Sequence, residues 1–249
     1  MRTKLLKPVM AMILPLAIMA CKKERLEQPN NSDNKLKSSK EIVFDFDFNQ
    51  GTEGWEVDYA DYPQGAEEFY ELNSGIESLP HPLNQKNNAF MISGNNHSDD
   101  LFMFFKREIS GLEPNTYYEL QMEVQFASRY PKNSMGSGGS PGESIYFKAG
   151  GSTEKPTTTL DNSNHYRLNI DKGEQSVGGK DLAVLGDIAT ENLQGDYVYE
   201  VISRNNYVNN QVVKSDDEGN LWLSFGTDSG FEATTTLYYT KVNVQLKQE

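Results

Sequence analysis

The sequence predicts an all-β chain that folds as an antiparallel β-sandwich or jelly roll. Apolar and polar residues alternate with a period of two in many short segments, which is the pattern of half-buried strands. No window holds a helical apolar stripe longer than about three turns. Clusters of Gly, Pro, Asn and Asp separate nearly every pair of segments and indicate turns. Many short strands joined by turns, without helices, are typical of sandwiches and jelly rolls.

Residues 1–20 are a predicted signal peptide. Arg2, Lys4 and Lys7 precede a run of 12 apolar or small residues, Val9 to Ala20. A basic start followed by a short apolar segment is typical of secretory signals, and this segment is too short to span a bilayer stably. We therefore expect an exported chain.

Cys21, the only cysteine of the 249 residues, directly follows this segment. Its place after "IMA" resembles the bacterial lipoprotein pattern, in which signal cleavage exposes a cysteine that is then diacylated and N-acylated. The resemblance implies that lipid on Cys21, such as palmitate, anchors the chain to a membrane, since each buried methylene contributes roughly 0.8 kcal/mol. We expect a cell-envelope protein held at the outer membrane, on either leaflet. The alternative is an ordinary signal peptide with an incidental cysteine.

Residues 21–40, which start with the lipidated cysteine, are predicted to form a flexible tether. Leu26 and Leu36 are the only large apolar residues after the cysteine, among many Lys, Asn and Ser residues. Such a segment cannot bury enough apolar surface to offset the entropy of ordering it. The folded part is therefore predicted to be a single β-sandwich domain of residues 41–249.

The chain is acidic, with 23 basic and 36 acidic residues and a net charge of −13. Loss of the three basic residues of the signal would leave 20 basic residues and a net charge near −16. The resulting field repels polyanions, so no nucleic-acid partner is expected. Because one cysteine cannot form a disulfide within the chain, the fold must be held by its core.

Two segments show the strand pattern most clearly. In "VFDFDF", residues 43–48, the phenylalanines share one face and the aspartates the other. In "YYELQMEVQF", residues 117–126, apolar residues alternate with amides and carboxylates. Residues 101–105 are apolar on both faces, which predicts a central strand. Further predicted strands span residues 89–93, 101–109, 144–149, 166–170, 197–203, 221–227 and 235–246.

Three segments resemble carbohydrate-binding modules with the galactose-binding-like jelly-roll fold. "ISGLEPNTYYELQMEVQFAS" resembles a strand, turn and strand of that family, "FDFNQGTEGWEVDY" resembles its first strand and the "GW" after it, and "TTTLYYTKVNVQL" resembles its closing strand. The resemblance implies the fold and makes a glycan a candidate partner. The family's last strand commonly carries an Asp that helps hold a structural calcium, where this chain has Thr240. A structural calcium is therefore left open, and no other cofactor is expected.

The stretch "SGNNHSDDLFMFFK" carries the first candidate ligand contacts, Asn96, His97 and Asp99. Such residue types bind metals, but a metal here would need further ligands from elsewhere. The candidates for those ligands are His165, Asp171 and Asp187. Asn and Asp side chains also form turns by bonding their own backbone. We predict a rim loop that offers polar ligand contacts, and assign no metal ligands.

A second group of candidate contacts lies on two later strands. Their side chains point away from the predicted core and offer aromatic and hydrogen-bonding groups. These residues are Tyr146, Lys148, Arg167, Asn169 and Asp171. If the two strand faces adjoin, they form a platform suited to sugar hydroxyls, whereas a solvated sheet face is the alternative. Trp55, after a glycine turn, is either an exposed stacking residue or a core residue.

The segment "YFKAG", residues 146–150, is similar to a motif of jelly-roll alginate lyases. In that family the motif works with an Arg-rich strand and with a Gln, x, His strand that supplies the acid/base His, and neither companion occurs here. A strongly negative chain also suits a polyanion-degrading enzyme poorly. No catalytic residue is therefore predicted.

The leading hypothesis is a lipid-anchored envelope protein that binds a glycan or another polar ligand through one sheet face and its rim loops. The alternatives are a structural or assembly lipoprotein without a small-molecule ligand and, less favoured, a jelly-roll polysaccharide lyase. Clustering in one concavity would favour a ligand-binding protein or an enzyme, and dispersal would disfavour both, for the set His97, Tyr146, Lys148, His165 and Arg167.

Overall fold

Two antiparallel β-sheets packed face to face enclose the core, and a third, small sheet completes the fold. The computed structural model describes residues 40–192 and 197–249, which belong to one compact unit. The predicted signal peptide, Cys21 and the tether up to residue 39 lie outside the described residues.

The described residues contain fifteen strands, one 3-10 helix (Phe48–Gln50) and no α-helix. In chain order the strands are β1 (Glu41–Asp47), β2 (Glu56–Ala60), β3 (Tyr62–Pro63), β4 (Asn73–Ser78), β5 (Asn88–Asn95), β6 (Leu101–Ile109), β7 (Tyr117–Ser128), β8 (Ile145–Ser152), β9 (Thr158–Leu160), β10 (His165–Leu168), β11 (Leu182–Asp187), β12 (Glu200–Asn205), β13 (Gln211–Lys214), β14 (Leu221–Ser229) and β15 (Thr234–Gln248). Within this part of the chain, no helix has the length and apolar character needed to cross a membrane.

The seven-stranded sheet is organised around β15. Its order is β12-β7-β15-β5-β4. Two further strands complete it. β13 pairs with β7 on the same edge as β12, and β1 pairs with β15 on the same edge as β5. β15 therefore pairs with three strands, since its first part meets β5, its second part meets β1, and its residues from Tyr238 to Gln248 meet β7. The register with β7 shifts between Tyr239 and Lys241, where Thr240 forms a bulge.

The five-stranded sheet has the order β11-β8-β14-β6-β2. β6 lies between β14 and β2 and is buried from Leu101 to Lys106, which confirms the predicted central strand. One set of its side chains faces the seven-stranded sheet. Phe102 and Phe104 face the other way and pack in a separate apolar cluster with Ala60, Ile170 and Leu182.

Aromatic rings fill the space between the two large sheets. Phe105 of β6 lies 4.8 Å from Phe225 of β14 and 4.7 Å from Tyr239 of β15, measured between ring centroids. Phe126 of β7 stacks on Phe147 of β8 at 5.1 Å. Fully burying a large apolar side chain contributes about 1.5–3 kcal/mol, so these contacts hold the sheets together without a disulfide.

The predicted antiparallel β-sandwich is confirmed, and the differences lie in its short strands. The predicted strand at residues 166–170 ends at Leu168 and pairs with β3 and β9 in the small sheet. Six strands are not predicted, because their sequences do not show a clear alternation of apolar and polar residues: β2, β3, β4, β9, β11 and β13. Trp55 is 3% exposed and packs against Phe225, so the exposed stacking role is wrong for it.

Candidate functional site

A long segment between β8 and β11 covers the outer face of the five-stranded sheet, the face turned away from the seven-stranded sheet. We call residues 153–181 the covering segment. Its Ile170 packs on Phe102 and Phe104 of β6. The carbonyl oxygen of Asp181 approaches Gly150 of β8 so closely that any side chain there would collide with it. This face of the sheet is therefore buried against protein.

Lys148 of β8 lies under the covering segment with no exposed side-chain surface. Its ammonium group donates to the backbone carbonyls of Lys172 at 2.8 Å and Val177 at 3.1 Å, and to Asp228 Oδ2 at 2.8 Å. These three acceptors match the three N–H donors of a lysine. Burial lowers the pKa of Lys148, and the Asp228 carboxylate opposes that shift. Lys148 thus fastens the covering segment to β8 and β14.

Asp228 of β14 is likewise fully buried. Its Oδ2 also accepts hydrogen bonds from Lys172 Nζ at 2.8 Å and from the backbone N–H of Gln175 at 3.0 Å. Its other oxygen, Oδ1, accepts no hydrogen bond. A buried acceptor left without a partner costs about 1–3 kcal/mol, so this oxygen marks a strained point of the buried network.

Arg167 of β10 is fixed by three carboxylates. Its Nη1 donates to Asp61 Oδ1 at 2.8 Å and to Asp100 Oδ2 at 3.1 Å, and its Nε donates to Asp161 Oδ2 at 3.0 Å. The hydrogen bond to Asp61 raises the pKa of Arg167 above its ordinary value. Hydrogen bonds from the His165 backbone and from Arg167 lower the pKa of Asp161 to about 2. The guanidinium is thus held in place while 41% of the side chain stays exposed.

An open cleft of about 420 Å³ lies beside this guanidinium, and we call it the Arg167 cleft. Its volume falls in the range of roughly 300–1,000 Å³ that is usual for ligand pockets. Four carboxylates, two cationic groups and a few apolar groups line it. These residues are Asp61, Asp100, Arg167, Leu168, Ile170, Asp171, Lys172, Gly173 and Glu174.

Asp100 connects the cleft to the rim loop, which we define as residues 96–100. Burial and the negative charges of Asp61 and Asp228 raise the pKa of Asp100 to about 6, although Lys172 and Arg167 act in the opposite direction. Its Oδ1 is buried and accepts no hydrogen bond. The pKa of Asp100 is therefore raised toward neutral pH, and its buried Oδ1 is an acceptor that the fold leaves without a hydrogen-bond partner.

Three carboxylates lie close enough together to be considered as metal ligands, with one oxygen of each within 4.8 Å of the others: Asp61, Asp100 and Asp228. In the described part of the chain this is the one cluster of acidic, His or Cys side chains with that spacing. A divalent cation does not fit among them. Arg167 and two lysines already lie 2.8–3.1 Å from these carboxylates, and their positive charges would repel a metal. Thr240 stands where the resembling family commonly has an Asp that helps hold a structural calcium. Its hydroxyl donates to the Gln125 carbonyl at 3.1 Å.

Asn96 has a structural role in the rim loop. Its side-chain amide is buried and donates to the carbonyls of Ser229 at 2.9 Å and Phe231 at 3.1 Å. Its Oδ1 accepts from the Ser98 backbone at 3.1 Å. Because these bonds use the amide internally, Asn96 positions the loop and presents no free group to a ligand.

His97 and Asp99 are exposed but stand apart from the cleft lining. His97 stacks on Phe69 with ring centroids 4.1 Å apart, and its Nε2 lies 3.1 Å from the Phe69 carbonyl. The Asp99 carbonyl accepts from Gln175 Nε2 at 2.8 Å, which ties the rim loop to the covering segment. Neither residue belongs to the group of three carboxylates.

The expected platform on adjoining strands does not form. β8 pairs with β11 and β14, whereas β10 pairs with β3 and β9. Arg167 and Asp171 line the cleft, and Lys148 lies buried below the covering segment instead of on an open face. Tyr146 is half-buried on β8, and Asn169 bonds to the backbone of the covering segment.

Sequence reasoning missed several charged residues that build the cleft. They are Asp61, Asp100, Asp161, Lys172 and Asp228. One signal was available, because "LSFGTDS" places the single charge of the segment within a predicted strand, and a charge buried there needs a partner. No comparable signal marks Asp61 or Lys172, which reach the cleft through the fold of distant segments.

No protein-family model and no curated protein sequence matches the chain. Among solved structures, its neighbours include carbohydrate-binding modules with a β-sandwich fold. One module of the β-sandwich superfamily is 10% identical with a TM-score of 0.38, over 82% of this chain and 60% of that one. A module with specific mannan recognition is 12% identical with a TM-score of 0.34, over 85% of this chain and 99% of that one. The active domain of tailspike protein 4 of bacteriophage CBA120 is 10% identical with a TM-score of 0.31, over 76% of this chain, which spans 19% of that protein. All three TM-scores lie below 0.5, so the ligand of this chain is inferred from its own residues.

Proposed function

We propose that this chain is a lipid-anchored protein of the bacterial cell envelope that binds a saccharide, or another ligand rich in hydroxyl groups, in the Arg167 cleft. One observation carries the proposal. The cleft holds a guanidinium fixed by three carboxylates next to a buried, unpartnered oxygen of Asp100, in an open volume of about 420 Å³.

Hydroxyl groups suit this lining because each one can donate and accept a hydrogen bond. Asp100 and Glu174 supply acceptors, and the exposed part of Arg167 supplies N–H donors. Hydrogen bonds to charged groups are about twice as strong as neutral ones. Since the ion pairs hold Arg167 before a ligand arrives, little entropy is lost when it binds.

The charge of the cleft favours a neutral ligand over an anionic one. Four carboxylates face Arg167 and Lys172, and both of these cations already form ion pairs with carboxylates. A uronate or sulfate group would meet an excess of negative charge. We therefore infer a neutral saccharide.

The buried position of Lys148 weighs against the lyase alternative. A lysine with no exposed surface and three satisfied donors cannot contact a polymer. The part of "YFKAG" that resembles the lyase motif therefore serves packing in this fold.

A polysaccharide screen tests ligand binding. The purified full chain is run through affinity gels that contain neutral or anionic polysaccharides, alongside Arg167→Lys and the matched control Glu218→Gln in an exposed turn. We expect retardation by a neutral polysaccharide, at least about tenfold weaker binding for Arg167→Lys because the fork geometry is lost, and no change for Glu218→Gln. Lack of retardation on every gel would leave the structural or assembly role as the better proposal.

The lipid anchor is tested separately in cells. Labelling with a clickable palmitate analogue should mark the wild-type chain and should be lost in Cys21→Ala, whereas a Ser32→Ala control keeps the label. Wild-type protein that carries no label would contradict the anchor and leave saccharide binding untouched.

A further inference from the structure

Lys148 of β8 and Asp228 of β14 form an ion pair that is closed to solvent. Neither side chain has exposed surface, and Lys148 Nζ lies 2.8 Å from Asp228 Oδ2. The two strands are neighbours in the five-stranded sheet, and the residue opposite Lys148 is Gly226, which has no side chain. Asp228 follows two residues later and therefore projects from the same face. The fold thus holds an amine nitrogen and a carboxyl group in contact and out of water.

The two oxygens of the Asp228 carboxylate have different surroundings. Besides the hydrogen bond from Lys148, Oδ2 accepts from Lys172 Nζ at 2.8 Å and from the backbone N–H of Gln175 at 3.0 Å. Oδ1 is buried and accepts no hydrogen bond from the described residues. Donors fixed on one oxygen stabilise the negative charge that this oxygen gains when a nucleophile attacks the carboxyl carbon. Oδ2 is therefore suited to stay and Oδ1 to leave.

Two further carboxylates lie close enough to Asp228 to carry protons. One oxygen each of Asp61 and Asp100 lies within 4.8 Å of an oxygen of Asp228. Asp61 Oδ2 and Asp100 Oδ1 are buried and, within the described part of the chain, receive no hydrogen bond, so both are free to accept a proton. The raised pKa of Asp100, about 6, agrees with a proton being held here near neutral pH.

Lys148 is better placed than Lys172 to act as the nucleophile. Among the described residues Lys148 pairs with Asp228 alone, whereas Lys172 is shared between Asp228 and Asp61. Burial lowers the pKa of Lys148, although Asp228 opposes the shift. Burial also acts to lower the pKa of Lys172, but Asp228 and Asp61 outweigh it and the pKa is raised. Since a neutral amine and not an ammonium group attacks a carboxyl carbon, Lys148 is the reactive lysine.

We propose that Lys148 Nζ and Asp228 Cγ condense to an amide, an isopeptide bond between β8 and β14. Lys148 first gives one proton to a neighbouring carboxylate, and its nitrogen then attacks Asp228 Cγ while Oδ2 takes up the negative charge. Oδ1 leaves as water, with one proton returned by that carboxylate and one taken from the attacking nitrogen. An ammonium and a carboxylate thus become an amide and one water, so no oxidant or other reactant is consumed.

Charge balance and burial favour the product. The charges of Lys148 and Asp228 cancel, so the reaction leaves the net charge of the cluster unchanged, and Arg167 and Lys172 still balance Asp61 and Asp100. Two buried charges, which are costly to desolvate, become one neutral amide. Groups held in contact react as if at very high concentration, and exclusion of water protects the amide from hydrolysis.

The bond closes a covalent loop from Lys148 to Asp228 that contains the whole covering segment, residues 153–181. A cross-link restricts the unfolded chain and so stabilises the folded one, as a disulfide does. The single cysteine of this chain cannot form a disulfide within it. The isopeptide bond needs no ligand, so it goes beyond the proposed function and does not depend on it.

Peptide mapping of the purified full chain by mass spectrometry tests the bond. After tryptic digestion of the denatured chain, we expect residues 133–167, uncut after Lys148, to be joined to residues 215–241. The mass of this branched peptide should be lower by one water than the sum of its two parts. Lys148→Arg cannot form the amide and should give separate peptides. The matched control Lys155→Arg, at an exposed lysine of the covering segment, should keep the branch.

The wild-type digest is decisive even if Lys148→Arg does not fold. Separate peptides 133–148 and 215–241 without loss of water would overturn the proposal. So would a loss of water confined to residues 215–241, which would mean a succinimide, or a branch at Lys172. Each of these results leaves the polysaccharide screen unaffected, so failure of the isopeptide bond and failure of saccharide binding can be told apart.

Discussion

The two outer faces of the sandwich arise from the same alternating pattern and end in opposite environments. On β7, Glu119, Gln121 and Glu123 point away from the core and remain partly exposed. On β8, Lys148 points away from the core in the same manner and is fully buried. The difference is the covering segment on one face. Alternation thus determines the direction of a side chain, and a distant segment determines whether it reaches water.

Both faces carry a cleft of about 420 Å³, so volume does not distinguish them. The cleft on the seven-stranded sheet is lined by side chains of β1, β7 and β15, including Asp45, Glu123 and Lys241. These charges are at least partly exposed, whereas Asp61 of the Arg167 cleft is 4% exposed and held by ion pairs. Polar groups that are desolvated and already oriented interact more strongly with a ligand than hydrated ones do.

The largest expected effect comes from a matched pair of lysine substitutions. Lys148→Met removes the partner of buried Asp228 and should lower the free energy of unfolding by about 3–5 kcal/mol. Lys247→Met on the open face removes an exposed ion pair with Glu119 and should cost less than about 1 kcal/mol. Urea denaturation measures both, and equal losses would show that the outer faces do not differ in burial.

A pair of apolar truncations sharpens the same comparison. Phe104→Ala should destabilise the chain by about 3 kcal/mol, because its ring is fully buried between β6 and the covering segment. Val43→Ala, at a side chain that is 50% exposed on the open face, should change stability by less than about 0.5 kcal/mol. Thermal unfolding reports both changes. A small loss for Phe104→Ala would mean that the covering segment does not protect this face.

Asp100 should make stability depend on pH in a defined direction. Its pKa in the folded chain is about 6, above the ordinary value of 3.8, so its contribution is complete below pH 4 and is lost as pH rises through 6. After allowance for its partial exposure, we expect the wild type to lose about 1 kcal/mol more than Asp100→Asn between pH 5 and pH 7.5. Urea unfolding at both pH values measures the difference, and a loss in the opposite direction would contradict the raised pKa.

The smallest expected effect concerns ligand affinity. Glu174→Gln in the Arg167 cleft should weaken binding of a retained polysaccharide about threefold, because a hydrogen bond to a charged carboxylate is replaced by a weaker one to a neutral amide. Glu123→Gln in the cleft of the open face should leave the affinity unchanged. Affinity gels compare the two variants under one condition. Equal weakening by both would move the binding site away from the Arg167 cleft.

Local pattern explains which parts of this molecule can be predicted from sequence. The alternation in β1, β7 and β15 reflects one buried and one hydrated face, so the strands and the sandwich follow from it. The cleft depends instead on Asp61, Arg167 and Asp228, which are far apart in the chain. Nothing local to any of them specifies the others, because their contact is produced by the path of the covering segment.

The pairing of β15 with three strands has a consequence for the order of folding. The strands β1, β5 and β7 have no shared neighbour until residues 234–248 are present. Glu41 pairs with Lys247, so this contact joins nearly the two ends of the folded part of the sequence. Closing loops of that length before any contact is gained makes folding slow. A growing chain therefore cannot complete the seven-stranded sheet until its last strand emerges, and until then its apolar strand faces must be kept from aggregating.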